Sequence, residues 1–223
     1  MTEKPIPFAA EMVRSILNVT KTVTRRVMKE QPVGLAGYHD AGFMHKPLCQ
    51  FENKETGEIE ADVPASPFGW VGGLLWVQEP WATVVSLSDQ GYSTSAHYQA
   101  TEPDAEVVWK PIIQMPKELA RIWLRVTHVR VERLQDIDAS DAIHEGIEKH
   151  DIENGFEYKN YLYKPGPLKS IVKPFFSDAV DSFRSFWQTI HGVGSWAKNP
   201  FVFVVEFELI STTGRPAIEE EAA

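Results

Sequence analysis

Five consecutive apolar residues, Phe201-Val202-Phe203-Val204-Val205, lie near the end of this 223-residue chain. Successive side chains of an extended chain point to opposite faces. A strand over Phe201–Leu209 therefore needs cover on both sides and belongs inside a sheet. A second stretch, Ile122–Leu134, alternates: Ile122, Leu124 and Val126 are apolar on one side, then Val129 and Val131 on the other. The change near His128 predicts a bulge, or a strand that bends. Leu74–Glu79 reads as a further strand and His97–Ala100 as a short one, while Pro111–Met115 and the β-branched Val19–Val27 read as extended. Helices are expected over Glu11–Asn18, from Asp138 to Ile147, and over Phe175–Ile190, where Phe176, Val180, Phe183 and Trp187 recur at spacing three to four. Asp138 is placed to cap the second helix, with Asp141 as its N3 residue.

Strands outnumber helices without a regular βαβ rhythm. The fold class expected is α+β: a small mixed β-barrel flanked by two or three short helices, with long loop insertions. One domain over 1–211 is expected, with insertions at about 30–73, 86–106 and 148–173. A hairpin is expected around Glu55–Glu58, and Pro165-Gly166-Pro167 acts as a breaker. Residues 212–223, which carry Glu219-Glu220-Glu221, are expected to be a disordered acidic tail.

With 43% hydrophobic and 24% charged residues, the composition excludes a wholly disordered chain, and a single cysteine, Cys49, excludes a disulfide framework. No apolar stretch approaches the roughly 18 residues of a membrane span. The N-terminus lacks the apolar core of a signal peptide, so a cytoplasmic protein without membrane contact is expected. The formal charge is −9, from 31 acidic and 22 basic residues. Proteins held mainly by phosphates are basic, so contact with nucleic acid would be focal: one nucleotide, a loop or a modified base.

Lys21, Thr22, Thr24, Arg25 and Arg26 form the densest polar cluster near a helix end. A basic strand edge that blocks aggregation is the plain reading. An anion or nucleobase site is the other, because Arg offers a planar fork of donors and Lys a point charge. Glu79 is flanked by Trp76 and Trp81. It is either a strand-end carboxylate paired with an Arg or an isolated one that acts as an acid or reads a base amino group. The seven histidines show no metal-ligand spacing, so neither a metal nor a cofactor is expected. No nucleophile elbow, P-loop or dinucleotide fingerprint is present.

Ile16 to Arg26 resembles the signature of the ASCH family, whose fold is PUA-like. That family carries Gly-x-Lys-x-x-x-x-Arg after a short helix; Lys21 and Arg26 match, and Val19 replaces the glycine. A positive φ at Val19 would be strained; otherwise Asn18 takes that role or the turn differs by a residue. Leu75–Trp81, Val129–Ile137 with Asp141–Ile147, and Phe183–Ile190 with Pro200–Phe207 resemble later family elements in the same order, especially as they occur in phage and prophage members. The resemblance implies binding of RNA or of a nucleoside or modified base. One branch of the family is similar to metal-independent amidohydrolases of N(4)-acetylcytidine, and its catalytic Lys, Thr and Glu carry over to Lys21, Thr24 and Glu145. Thr22, Arg25, Arg26, Trp76, Glu79 and Trp81 are then candidate ligand contacts, and Lys21, Thr24, Glu79 and Glu145 are expected to share one cleft. A lysine base needs a turn or twist here, because Lys21 and Thr24 of one strand would face opposite ways. A third class of function is a phage or prophage structural protein that uses the fold as a scaffold for a protein partner.

Overall fold

The structure is a computed structural model that describes residues 2–41, 44–88, 91–164 and 173–217. In chain order the elements begin with β1 (Glu3–Pro7), α1 (Ala10–Leu17), β2 (Val23–Val27), β3 (Gly34–Ala41), β4 (Met44–Glu52) and β5 (Ile59–Asp62). Next come β6 (Leu74–Gln78), β7 (Trp81–Ser88), β8 (Gly91–Tyr98), β9 (Trp123–Arg133) and α2 (Ala139–His144). The last are β10 (Lys149–Ile152), β11 (Gly155–Lys159), β12 (Phe175–Phe176), α3 (Ala179–His191) and β13 (Phe201–Ser211). The class is mixed α+β, rich in sheet, and no closed barrel is found among the described residues. Among those residues, too, no helix is long and apolar enough to cross a membrane.

The chain forms two compact units. One comprises Met1–Val19, Pro67–Thr127 and Phe207–Ala223, the other Thr20–Ser66 and His128–Glu206. In the first unit β1 runs parallel to β6, and β6 pairs antiparallel with the start of β9. Helix α1 buries Val13 and Ile16, one turn apart, and Phe8 packs its ring against Phe207. β7 and β8 form a regular hairpin, from Trp81↔Tyr98 to Ser88↔Gly91. A regular hairpin thus occupies the start of the stretch expected to be a loop insertion from about residue 86, and His97 and Tyr98 belong to its second strand rather than to a separate short one. A two-stranded ribbon satisfies its backbone groups by pairing, without an apolar face; Ser86, Ser93 and Ser95 leave no hydrophobic period to detect. Pro111–Met115 is also not extended: Ile112–Gln114 is a 3-10 turn closed by the Gln114 N–H on the Pro111 carbonyl.

In the second unit the sheet order is β9-β13-β2, with β13 antiparallel to β2 from Val202↔Val27 to Glu206↔Val23. Phe201 to Val205 are all buried, so β13 is central and covered on both faces as its apolar run requires. Along β9 the buried alternation runs Leu124, Val126, then Val129, Val131, the change of side expected near His128. Strand β2 starts only at Val23; Lys21 makes a single bridge, to Glu145. Asp138 caps α2 by accepting from the Asp141 N–H. Helix α3 begins at Ala179, not Phe175, because Asp178 accepts from the Val180 and Asp181 N–H groups and sets the start there. Phe175 and Phe176 instead pair with β11. Gly192, at φ +89°, ends α3 in a conformation that other residues adopt only with strain. The core of this unit joins Val23, Ala142, Phe183, Trp187, Val202 and Val204.

The stretch read as an insertion at 30–73 contains the antiparallel meander β3-β4-β5, and that at 148–173 supplies β10 and β11 to a meander completed by β12. The hairpin around Glu55–Glu58 is present, turning between Glu52 and Ile59. Pro165-Gly166-Pro167 and Glu219–Glu221 lie outside the described residues.

Candidate functional site

Asn18 ends α1 with an ordinary φ of −83°, and Val19 takes φ +58°. The left-handed residue is thus the one that replaces glycine in the resemblance. A β-branched residue there is strained by about 1–2 kcal/mol, and Val19 is 65% exposed, so burial does not offset the cost. Two residues later Lys21 and Thr22 lie against the end of α2. Lys21 bridges Glu145, and the Thr22 N–H donates to the His144 carbonyl at 2.9 Å.

Lys21 is 1% exposed. Its ammonium donates to the Glu145 carboxylate at 2.7 Å and to the Val23 and Glu145 carbonyls at 2.8 Å each. Three acceptors match the three protons of a charged amine. Burial lowers the Lys21 pKa; Glu145 opposes that, and Arg26 and Arg25 reinforce it. Arg25, in β2, donates through Nε and Nη2 to Glu132 at 3.2 and 2.6 Å and through Nη2 to Asp141 at 2.5 Å. Its Nη1 lies 3.5 Å from Glu145. Burial disfavours the Arg25 charge most, yet Glu145, Asp141 and Glu132 together hold its pKa above the ordinary value. Arg130 of β9 extends the network, bonding Glu132, Asp141 and Glu206. Burial alone would raise Asp141, but the Arg25 and Arg130 guanidinium groups hold its pKa below the usual value. Arg26 is pushed down by burial and back up by Glu145. Its charge, after burial, also lowers His191, which stacks on Trp187 with ring centroids 4.0 Å apart.

Thr24 is 3% exposed. The Lys21 ammonium donates to Val23 and Glu145, an arrangement that favours a charged amine over a free base directed at Thr24. Lys21 and Glu145 do meet, across 124 positions of chain. Arg130, Glu132, Asp141 and Glu206 escaped the sequence reading. Asp141 had been assigned only to the helix cap, and the alternation of β9 that puts Arg130 and Glu132 on one side was the available signal.

Glu79, Trp76 and Trp81 belong to the first unit. Glu79 is fully buried and is not isolated: Arg121 donates through Nε and Nη2 to its two oxygens at 2.9 Å each. The paired alternative holds. Arg121 also lies over the Tyr98 ring at 4.1 Å. Trp81 packs with Met115 and Ala120, and half-buried Trp76 packs against them. The Lys110 ammonium sits 4.3 Å from the Trp81 ring centre. The Trp81 indole N–H is buried without a hydrogen-bond partner. Among the described residues no group of three His, Cys, Asp or Glu side chains is arranged to hold a metal ion.

Comparison of the chain with family models, with curated proteins and with solved structures finds no match.

Proposed function

We propose that this chain binds a nucleoside or modified nucleobase at a focal site around Thr24, with Lys21 and Glu145 as its charged floor and Arg26 beside it. The reading follows from the resemblance to ASCH domains, and it takes the fold as a PUA-like barrel with insertions. The observation that carries it is the buried cluster in which Lys21 meets Glu145 at 2.7 Å and Arg25 meets Glu132 and Asp141, with Thr24, 3% exposed, between Lys21 and Arg25 in the chain. Lys21 and Glu145, which the resemblance assigns to one site, meet although 124 positions separate them, and the Thr24 hydroxyl offers a bound base both a donor and an acceptor. The net charge of −9 supports a small ligand over a long duplex.

Hydrolysis of an N(4)-acylated cytosine is the second reading, favoured by the lowered pKa of Lys21. A base must shed its proton for part of the cycle. The three acceptors around Nζ favour the charged amine and so favour binding over turnover.

Incubation with N(4)-acetylcytidine, followed by chromatography, separates the two. Binding without turnover predicts unchanged nucleoside, a measurable affinity, and a Lys21→Arg variant that keeps much of it. Turnover predicts cytidine and acetate, abolished by Lys21→Arg because Arg stays protonated near neutral pH. Neither affinity nor turnover across acylated and plain nucleosides refutes both.

A further inference from the structure

The β7–β8 hairpin carries a second arrangement of reactive side chains, independent of the nucleoside reading. Ser95 and His97 lie two residues apart on one strand and so share a face. The Ser95 Oγ is 3.1 Å from His97 Nε2. On the other side of the ring, His97 Nδ1 is 2.6 Å from Glu102 Oε2. Just after β8, the Glu102 N–H donates to the Tyr98 carbonyl at 2.9 Å, so a tight turn brings its carboxylate back toward the strand. A carboxylate at Nδ1 holds the ring proton there and leaves Nε2 as the acceptor for the serine hydroxyl. Hydroxyl, imidazole and carboxylate are then in the order that activates a serine.

We propose that Ser95, His97 and Glu102 form a nucleophilic relay that hydrolyses small activated carboxylic esters. The Ser95 Oγ adds to the ester carbonyl carbon while its proton passes to His97 Nε2. Collapse breaks the carbon–oxygen bond to the leaving alcohol, which takes that proton from His97. Water, deprotonated by the same nitrogen, then cleaves the acyl-Ser95 ester to a carboxylic acid and free Ser95. Ser95 and His97 are the catalytic residues; Glu102 is a positioning residue that acts through the ring. Ser95 is exposed, and the His97 and Glu102 side chains are 26% and 42% exposed. Such a surface relay does not exclude water or enclose a substrate, so it suits esters with a good leaving group and not amides.

The test treats the full chain with a fluorophosphonate probe, locates the adduct by peptide mass spectrometry, and measures hydrolysis of p-nitrophenyl acetate beside it. The relay predicts an adduct on Ser95. It predicts hydrolysis lost in Ser95→Ala and reduced at least about 100-fold in His97→Ala, the low end of a general base's contribution. Glu102→Gln should fall likewise and Glu102→Asp recover part of the rate, a rescue that a merely structural carboxylate would not give. Circular dichroism checks that each variant is folded. No adduct on Ser95, or an adduct and a rate that survive His97→Ala, overturns the proposal.

Discussion

Glu79 and Lys21 are both buried charged side chains, yet their surroundings differ in kind. Among the described residues Glu79 pairs with one cation, Arg121, which meets both its oxygens and lies over the Tyr98 ring. The pair is complete in itself. Lys21 belongs to a network in which Glu145 serves Lys21 and Arg25, Asp141 serves Arg25 and Arg130, and Glu132 serves the same two arginines. The segment that carries Lys21 and Arg25 also holds a buried threonine, Thr24, and follows a strained residue, Val19, in the chain. A closed pair needs only a structural role. Shared carboxylates, a lysine whose pKa is lowered and a strained backbone residue are features that gather at functional sites.

Breaking one partner gives the largest effect. Glu145→Ala leaves Lys21 buried without its carboxylate and should cost about 3–5 kcal/mol in urea unfolding. Replacing both partners sharpens the contrast. Glu79→Leu with Arg121→Met should come within about 1 kcal/mol of wild type, since a closed buried pair can give way to apolar groups. Lys21→Met with Glu145→Leu should stay about 2 kcal/mol below it, because Arg25 loses one of its carboxylates and two carbonyls lose their donor. Equal outcomes for the two double variants would erase the distinction.

Acid should act on the network through Asp141. Its folded pKa lies below 3.8, so the unfolded chain takes up the proton first as pH falls. The stabilisation is complete above the unfolded value and is lost as pH drops through the folded one. Asp141→Asn should flatten this acid limb in a pH series of unfolding curves, and a limb that keeps its slope would deny Asp141 the role. Lys21 has the opposite charge and a lowered pKa, so its burial penalty is relieved as pH rises toward 10.5. The smallest effect is at Val19. Val19→Gly removes the strain but adds backbone entropy to the unfolded chain, for a net gain of up to about 1 kcal/mol in thermal or urea unfolding. A loss of stability would mean that the valine side chain has a packing role its exposure does not suggest.

The parts of this architecture legible in the sequence were those with an uninterrupted period. The apolar run of β13 and the shift in β9 translate directly into burial, as does the Asp138 cap into a helix start. The β7–β8 hairpin was hidden because it is held by cross-strand backbone bonds between polar residues. Lys21, Thr24 and Glu145 came from resemblance, since no local pattern links positions 124 apart. The arginine–carboxylate network was illegible for the same reason: Arg25 finds Glu132 and Asp141 only after β2, β9 and α2 have packed.

The central claim rests on one hydroxyl, and Thr24→Val tests it most directly. The substitution keeps the β-branched shape and removes only the hydroxyl, so unfolding stability should stay within about 1 kcal/mol of wild type. Affinity for N(4)-acetylcytidine or the tightest-binding nucleoside, read by titration calorimetry, should nevertheless fall at least 10-fold, about 1.4 kcal/mol. Unchanged affinity in a stably folded Thr24→Val protein would contradict the account.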